Sequence, residues 1–480
     1  MYTTSALDVI QLSRSIRSHV TNPTESGLTR RRLISSLAAG TAATFLARRA
    51  QAVHAQSAAP YHVGIATGFT ASATDGYAAA QAAIASLPAG EFPNVSGLPV
   101  VIKVNLVLQK LYTTGTTTDP NVCQAVVDLC IQNGATQIYI VEAAQISSTG
   151  QQNAAPPFAY CGYTAMFASY PNVTLVDLDK DPETLTPVLN GYVYQNIWLA
   201  QTLLTPNAVF ISCSAMKTHT WASVTLTCKN YFGLFLPTQY FVIGQLPRSN
   251  PHELSVAAAV TDIHRIVPVH FAVVAGIYGM QGNGPIYGSP VNAGVVLAGK
   301  NPVAVDRIGM QMMLGTYHAT HLDLMAAAGM GPSAEQVARQ VVTYGAAPLS
   351  LNFLGPNMLW PYSGMPKLSA SSVSVGAGLT ITYKWPQAAN GRVEIVQDNE
   401  SLDERQVGPT ERVTQIKLIS DWAPYTTNEL STFTWDGTTN SGSPAGPGTY
   451  LVRISAGFNA NDSTPQSSLN FGSKLFQVIS

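Results

Sequence analysis

Charge is scarce in this sequence. Only 11% of its 480 residues are Asp, Glu, Lys or Arg, against 46% hydrophobic; that balance excludes a disordered chain and fits an exported body with a quiet, Thr/Ser/Gly-rich surface. Positive charge is scarcer still once the amino terminus is set aside. Residues 1–52 hold seven Arg against Asp8 and Glu25, which leaves 18 basic and 24 acidic residues in the remainder. A body without a basic stripe lacks what binding to a phosphate backbone requires, so nucleic acid is not an expected partner. The five cysteines, Cys123, Cys130, Cys161, Cys213 and Cys228, form no C-x-x-C pair, which excludes a zinc ribbon or ferredoxin-type cluster on spacing. On a helix Cys123 and Cys130 would lie about 10 Å apart, too far for a disulfide. All five read as buried small hydrophobes.

Charge is concentrated at the amino terminus. The segment Thr29-Arg30-Arg31-Arg32-Leu33-Ile34-Ser35 resembles the twin-arginine export consensus and precedes a weakly apolar run over residues 33–46. That run is too short to span a hydrocarbon core of about 30 Å. Arg48 and Arg49 follow it, and small-residue sites place cleavage after Ala52 or Ala55. Residues 1–55 are therefore expected to be a signal, the twin-arginine translocase a partner, and the mature protein periplasmic or extracellular. Substrates of that route cross folded, often with a cofactor or metal already loaded; the sequence names none.

From residue 60 to 347 strand and helix alternate. Residues 100–106 are rich in β-branched side chains. Asp119 and Pro120 then start a helix that Gly134 ends, and residues 136–141 form the next strand, a β-α-β unit whose strands should be parallel. Further strands are expected at 173–177, 209–213, 271–275 and 295–298, with helices capped at Asn250-Pro251 and Asn301-Pro302. The fold class is thus α/β, a largely parallel sheet with flanking helices. Residues 348–370 read as a linker, and residues 371–480, where helical periodicity stops and short alternating segments begin, as an all-β sandwich. Trp435-Asp436-Gly437 and residues 446–453 resemble the Ig-like domain of flagellar hook-capping proteins. That resemblance implies a spacer or adhesive module, through which self-association or surface attachment would run, with Trp435 and Tyr450 in its core.

Chemistry-bearing residues cluster just past one strand end. Lys217, His219, Thr225, Lys229 and Asn230 fall within fourteen residues, at the carboxyl edge where open α/β sheets place ligands. Whether residues 220–233 continue as strand or turn into helix is open, but a spacing of four sets Thr225 and Lys229 on one face in either case. Such a set suits an anionic group, carboxylate or phosphate. His219 is the natural proton carrier, with Lys217 and Lys229 stabilising developing negative charge. A second candidate is the glycine loop Gly282-Asn283-Gly284, which does not fit G-x-G-x-x-G but can bring backbone N–H groups near a ligand. The grouping closest to metal spacing is His318, His321 and Asp323, whose simpler reading is a polar helix surface.

Lys103 and Asn105, residues 217–219 with Thr225, Lys229, Asn230 and Gly233, the loop 280–285 and residues 301–306 together resemble the domain of unknown function 362 family, in that family's order. The resemblance implies a Lys/His/Asn/Gly site that includes Lys103, Asn105 and Asp306, and no agreed reaction. Two departures stand out: this chain has none of the ferredoxin-like cysteine motifs of some relatives, and it has Ala275 and Gln281 where acidic residues are common. The first expectation is an exported protein that binds a small anionic ligand or cofactor. A surface assembly protein with an idle α/β domain, and a metal- or cofactor-dependent enzyme loaded before export, are the alternatives.

Overall fold

The computed structural model describes residues 60–70, 72, 75–143, 155–240, 249–356, 365–385, 388–400, 413–457 and 469–480. The export segment lies outside the described residues. No described helix is long and apolar enough to cross a membrane.

The sheet is built from β1 (Tyr61–Ala66), β2 (Pro99–Lys103), β3 (Gln137–Glu142) and β4 (Val173–Asp177). A hairpin of β5 (Glu183–Pro187) and β6 (Asn196–Ala200) stands apart from it. The sheet is completed by β7 (Val209–His219), β8 (Ser223–Thr225), β9 (Phe271–Gln281), β10 (Ser289–Gly299) and β11 (Val341–Gly345). Its order is β11-β1-β10-β9-β7-β2-β3-β4, with β8 hanging on β7. The run β9-β7-β2-β3-β4 is parallel throughout, while β10 is antiparallel to both neighbours.

Local chemistry accounts for the central unit. The Asp119 carboxylate accepts from Asn121 N–H and Pro120 occupies the first turn of the helix Pro120–Gln132, whose exit is turned by Gly134 at φ 82°. Asn301 caps the helix Pro302–Leu314 in the same way. Asn250-Pro251 does not act as a cap. Asn250 accepts from the Tyr194 hydroxyl at 2.6 Å, and it is Ser255 that caps the helix Val256–Ile266.

Each β2 residue chooses a face by alternation. Val100 and Ile102 enter the core beneath the helix Pro120–Gln132, and Val101 enters the opposite core, which holds Cys228, Tyr231 and Phe232. Lys103, two residues after Val101, therefore points to that second side.

After β11, residues 351–354 of the stretch expected as linker bond back to the body. Leu351 and Phe353 N–H donate to the carbonyls of Met312 and Met313, and Gly282 N–H donates to the Leu354 carbonyl. Seven strands follow: β12 (Lys367–Leu368), β13 (Ser372–Ser374), β14 (Leu379–Lys384), β15 (Ala389–Asp398), β16 (Val413–Tyr425), β17 (Leu430–Trp435) and β18 (Gly448–Gly457), and β19 (Leu469–Ile479) closes the chain. They make a three-stranded and a five-stranded sheet, mainly antiparallel. The two sheets share one core around Trp385, Trp435, Tyr450 and Phe476. This β module is seated on the α/β body: Glu400 accepts from Gln195 and Asn196 N–H at 2.8 and 2.6 Å, and Val396 and Leu451 join the body's apolar core.

Candidate functional site

Three neighbouring strand ends, those of β7, β2 and β3, open on one cavity of about 400 Å³. That is the carboxyl edge of the parallel part of the sheet, where ligands of open α/β sheets collect. Lys103 from β2, Glu142 from β3, and Lys217 and His219 from β7 line it.

The short β8 turns back along β7, pairing Lys217 with Thr225. The helix Thr227–Asn230 then brings Lys229 and Asn230 to the same wall. That helix begins where it does because Asp306, wholly buried, accepts from Thr227 N–H at 2.8 Å, Thr227 Oγ1 at 2.5 Å and Cys228 N–H at 2.7 Å. Burial pushes the Asp306 carboxyl up to about 6 while these donors pull it down. The open choice between strand and helix for residues 220–233 resolves as both, in sequence, with the switch set by a carboxylate 79 residues away.

Lys103 is held by charge and by a relay of amides. Its Nζ lies 2.7 Å from Glu142 Oε1, with the two side chains 2% and 3% exposed. Glu142 also accepts from Leu106 and Ala143 N–H at 2.6 and 3.0 Å. Gly233 gives this pair its room, since a Cβ there would come within 2.8 Å of Lys103 Nζ. Asn230 Nδ2 donates to the Lys103 carbonyl at 2.9 Å, so its Oδ1 faces and accepts from Asn105 Nδ2 at 3.1 Å. Asn105 Oδ1 is thereby turned to accept from Lys217 Nζ at 2.8 Å, and the Thr116 carbonyl accepts from the same nitrogen at 2.6 Å.

Lys217 is 1% exposed. Burial, opposed by Glu142 and reinforced by Lys103 and Lys110, pushes its pKa down to about 7. The Lys229 ammonium sits 3.8 Å above the centroid of the Phe232 ring, a cation–π contact. His219 Nδ1 accepts from Trp221 N–H at 3.0 Å, and burial followed by Lys229 drives its pKa well below the usual histidine range. Its imidazole is neutral with the proton on Nε2, a hydrogen-bond donor. His219, expected as the proton carrier, is thus a neutral lining residue, beside a Lys217 whose pKa burial pushes down to about 7.

Of the residues expected at a site, the cavity gathers Lys103, Asn105, Lys217, His219, Thr225, Lys229, Asn230, Asn283 and Gly284. Gly284 lies so close to the Thr218 carbonyl that an added Cβ would overlap it. Gly282 and Asp306 do not line the cavity. Gly282 accepts from Thr218 Oγ1 at 2.8 Å and shapes the loop, and Asp306 positions Lys229 and Asn230 from behind.

The suggested metal trio is split. His321 is fully buried, with neither ring nitrogen hydrogen-bonded, whereas His318 is 60% exposed and faces Asp323 at 3.3 Å. Asp323 is also held by Arg307 at 3.0 Å. No group of three or more His, Cys, Asp or Glu among the described residues is arranged for a metal ion.

Sequence reasoning missed Glu142, His252 and the aromatic wall of Trp221, Phe232 and Tyr287. Glu142 ends the strand next to the one that Lys103 ends, a pairing that appears only with the β2–β3 register. His252 packs edge-on against Trp221 and Phe232, a contact that spacing does not mark.

Residues 100–311 match the family described as Domain of unknown function (DUF362), which supports the family resemblance for this part of the chain. The matched stretch supplies all three lysines of the cavity. No curated protein matches the chain. Among solved structures, the alkylpurine DNA glycosylase AlkC of Pseudomonas fluorescens, bound to DNA containing an abasic site analog, is 10% identical over 24% of this chain and 29% of that one, with a TM-score of 0.15. A CARDB domain from Pyrococcus furiosus, in complex with di-metal ions, is 13% identical over 25% of this chain and 93% of that one, with a TM-score of 0.12. The chain spans less than a third of the glycosylase, and neither likeness bears on the fold or the site.

Proposed function

We propose that this is an exported protein whose α/β body binds a small anionic ligand, a carboxylate or phosphate, in the cavity at the ends of β2, β3 and β7. One observation carries the reading: among the described residues, three lysines line the cavity and Glu142 is the single carboxylate that does. All three are nearly withdrawn from water, Lys229 being 6% exposed. Their charge is net positive whether Lys217 is protonated or not, and a low local dielectric strengthens its pull on an anion. The neutral His219, the Thr225 hydroxyl and the amides of Asn105 and Asn230 add orienting polar groups, while Trp221, Phe232 and Tyr287 give an apolar wall. Few polar groups on a mostly apolar wall is the usual make-up of a small-molecule site.

The test is thermal unfolding with added orthophosphate and oxalate. At least one anion should raise the melting temperature of the wild type and leave Lys229→Met unmoved. No shift with either anion, or equal shifts in both proteins, overturns the reading.

Export rests on the Arg30-Arg31 motif. Residues 1–55 fused to a folded reporter should carry it out of the cytoplasm, and the paired change Arg30→Lys, Arg31→Lys should stop it; a fusion that stays inside overturns that part. We read the C-terminal sheets as an Ig-like module, supported by the turn after Trp435, whose Nε1 donates to the Thr438 carbonyl at 2.8 Å.

A further inference from the structure

We infer that Lys217 is a nucleophilic amine that condenses with the carbonyl carbon of a small 2-oxo acid, whose carboxylate lies towards Lys229. The inference rests on the anion-site reading and deepens it by naming the class of ligand.

The geometry around Nζ is its first support. A neutral amine has two N–H donors and one lone pair, and here two fixed acceptors meet it, Asn105 Oδ1 at 2.8 Å and the Thr116 carbonyl at 2.6 Å. The Asn105 orientation is not free, because its Nδ2 donates to Asn230, whose own amide is pinned to the Lys103 carbonyl. With both N–H groups engaged, the lone pair is the position left on the amine of a residue that lines the cavity. Burial disfavours the ammonium form, opposed by Glu142 and reinforced by Lys103 and Lys110. Amines kept neutral by burial and by cationic neighbours are the ones that attack carbonyls.

The surroundings supply the rest. Thr225 is the cross-strand partner of Lys217, Lys229 lines the same wall, and His219, with Nδ1 occupied by Trp221 N–H, carries its proton on Nε2 for the carbonyl oxygen. In the step, the Lys217 lone pair forms the C–N bond while the C=O π pair moves to oxygen. The two amine protons leave with that oxygen as water, and a neutral imine remains, with no net oxidation or reduction. An anionic ligand without a carbonyl would bind but would not condense.

Glyoxylate and sodium cyanoborohydride test this, the hydride reducing any imine to a stable secondary amine that peptide mass spectrometry locates. Near neutral pH, Lys217 should be modified about a thousandfold faster than surface lysines, as its larger neutral fraction requires, and oxalate should protect it. Lys217→Arg should abolish the fast-reacting site and leave only the slow labelling of surface lysines. Oxalate stabilisation without an adduct at Lys217 overturns this inference and leaves the anion site standing. Absence of both overturns the two together, and label spread evenly over surface lysines also counts against the inference.

Discussion

Lys103 and Glu142 form an ion pair of 2.7 Å across adjacent parallel strands, nearly sealed from water on both sides. Breaking such a pair from one side leaves a buried charge without its counterion, at a cost of about 3–5 kcal/mol. Glu142→Gln should therefore lower unfolding stability in urea by that amount. Adding Lys103→Met to it should recover most of the loss, because the uncompensated charge is then gone. A double variant as unstable as the single would show that the pair's charge is not what matters.

Gly233 is the residue that makes space for this pair. Gly233→Ala would put a Cβ 2.8 Å from Lys103 Nζ and 3.2 Å from Glu142 Oε1, and overpacking of this kind costs about 1–3 kcal/mol. The expected outcome is a lower melting temperature and, because Lys103 must move, weaker stabilisation by oxalate or orthophosphate. An unchanged anion response would place Lys103 outside the binding site.

Lys217 gives the protein a dated pH dependence. In the unfolded chain its amine takes up a proton near the ordinary value of about 10.4, whereas burial keeps the folded amine neutral until about pH 7. Between those values the unfolded state holds the extra proton, so the group's contribution to stability rises with pH across that window and is flat below it. Lys217→Met should lose this rise, a difference in slope of about 1.4 kcal/mol per pH unit against the wild type. Urea unfolding of both proteins across that window reads it directly, and parallel curves would mean that Lys217 is an ordinary ammonium.

Asp306 acts through the helix it starts. Asp306→Ala would leave the buried N–H groups of Thr227 and Cys228 without their acceptor, at about 2–6 kcal/mol. Hydrogen exchange should show lost protection at Thr227 and Cys228, together with a weaker anion response, since Lys229 and Asn230 ride on that helix. Retained protection would show that another group caps it.

The sequence made the α/β body readable where local rules dominate. β2 and β3 announce themselves by β-branched runs, and the helix between them by Asp119-Pro120 at one end and Gly134 at the other. Where distant partners decide, local rules fall short. The switch from β8 to helix at Thr227 is set by Asp306, and Asn250, which looks like a cap, is instead taken by Tyr194. The cluster of Lys217, His219, Lys229 and Asn230 was legible because charge is so rare in this chain, and the cavity gathers all four. Its chemistry was not legible, for a histidine has an ordinary pKa until burial and a neighbouring lysine are known. Glu142 remained hidden for a related reason: a carboxylate at a strand end acquires a partner only when the β2–β3 register is fixed. The boundary with the β module blurred similarly, since residues expected as linker bond to Met312 and Met313, and Glu400 binds the β5–β6 hairpin.

The most direct test is a crystal structure of the protein grown with oxalate. Density for the anion within hydrogen-bonding reach of Lys229, beside an intact Lys103–Glu142 pair, is the expected result. A cavity filled with water alone at saturating oxalate, or lysine side chains turned out to bulk solvent, would contradict the account.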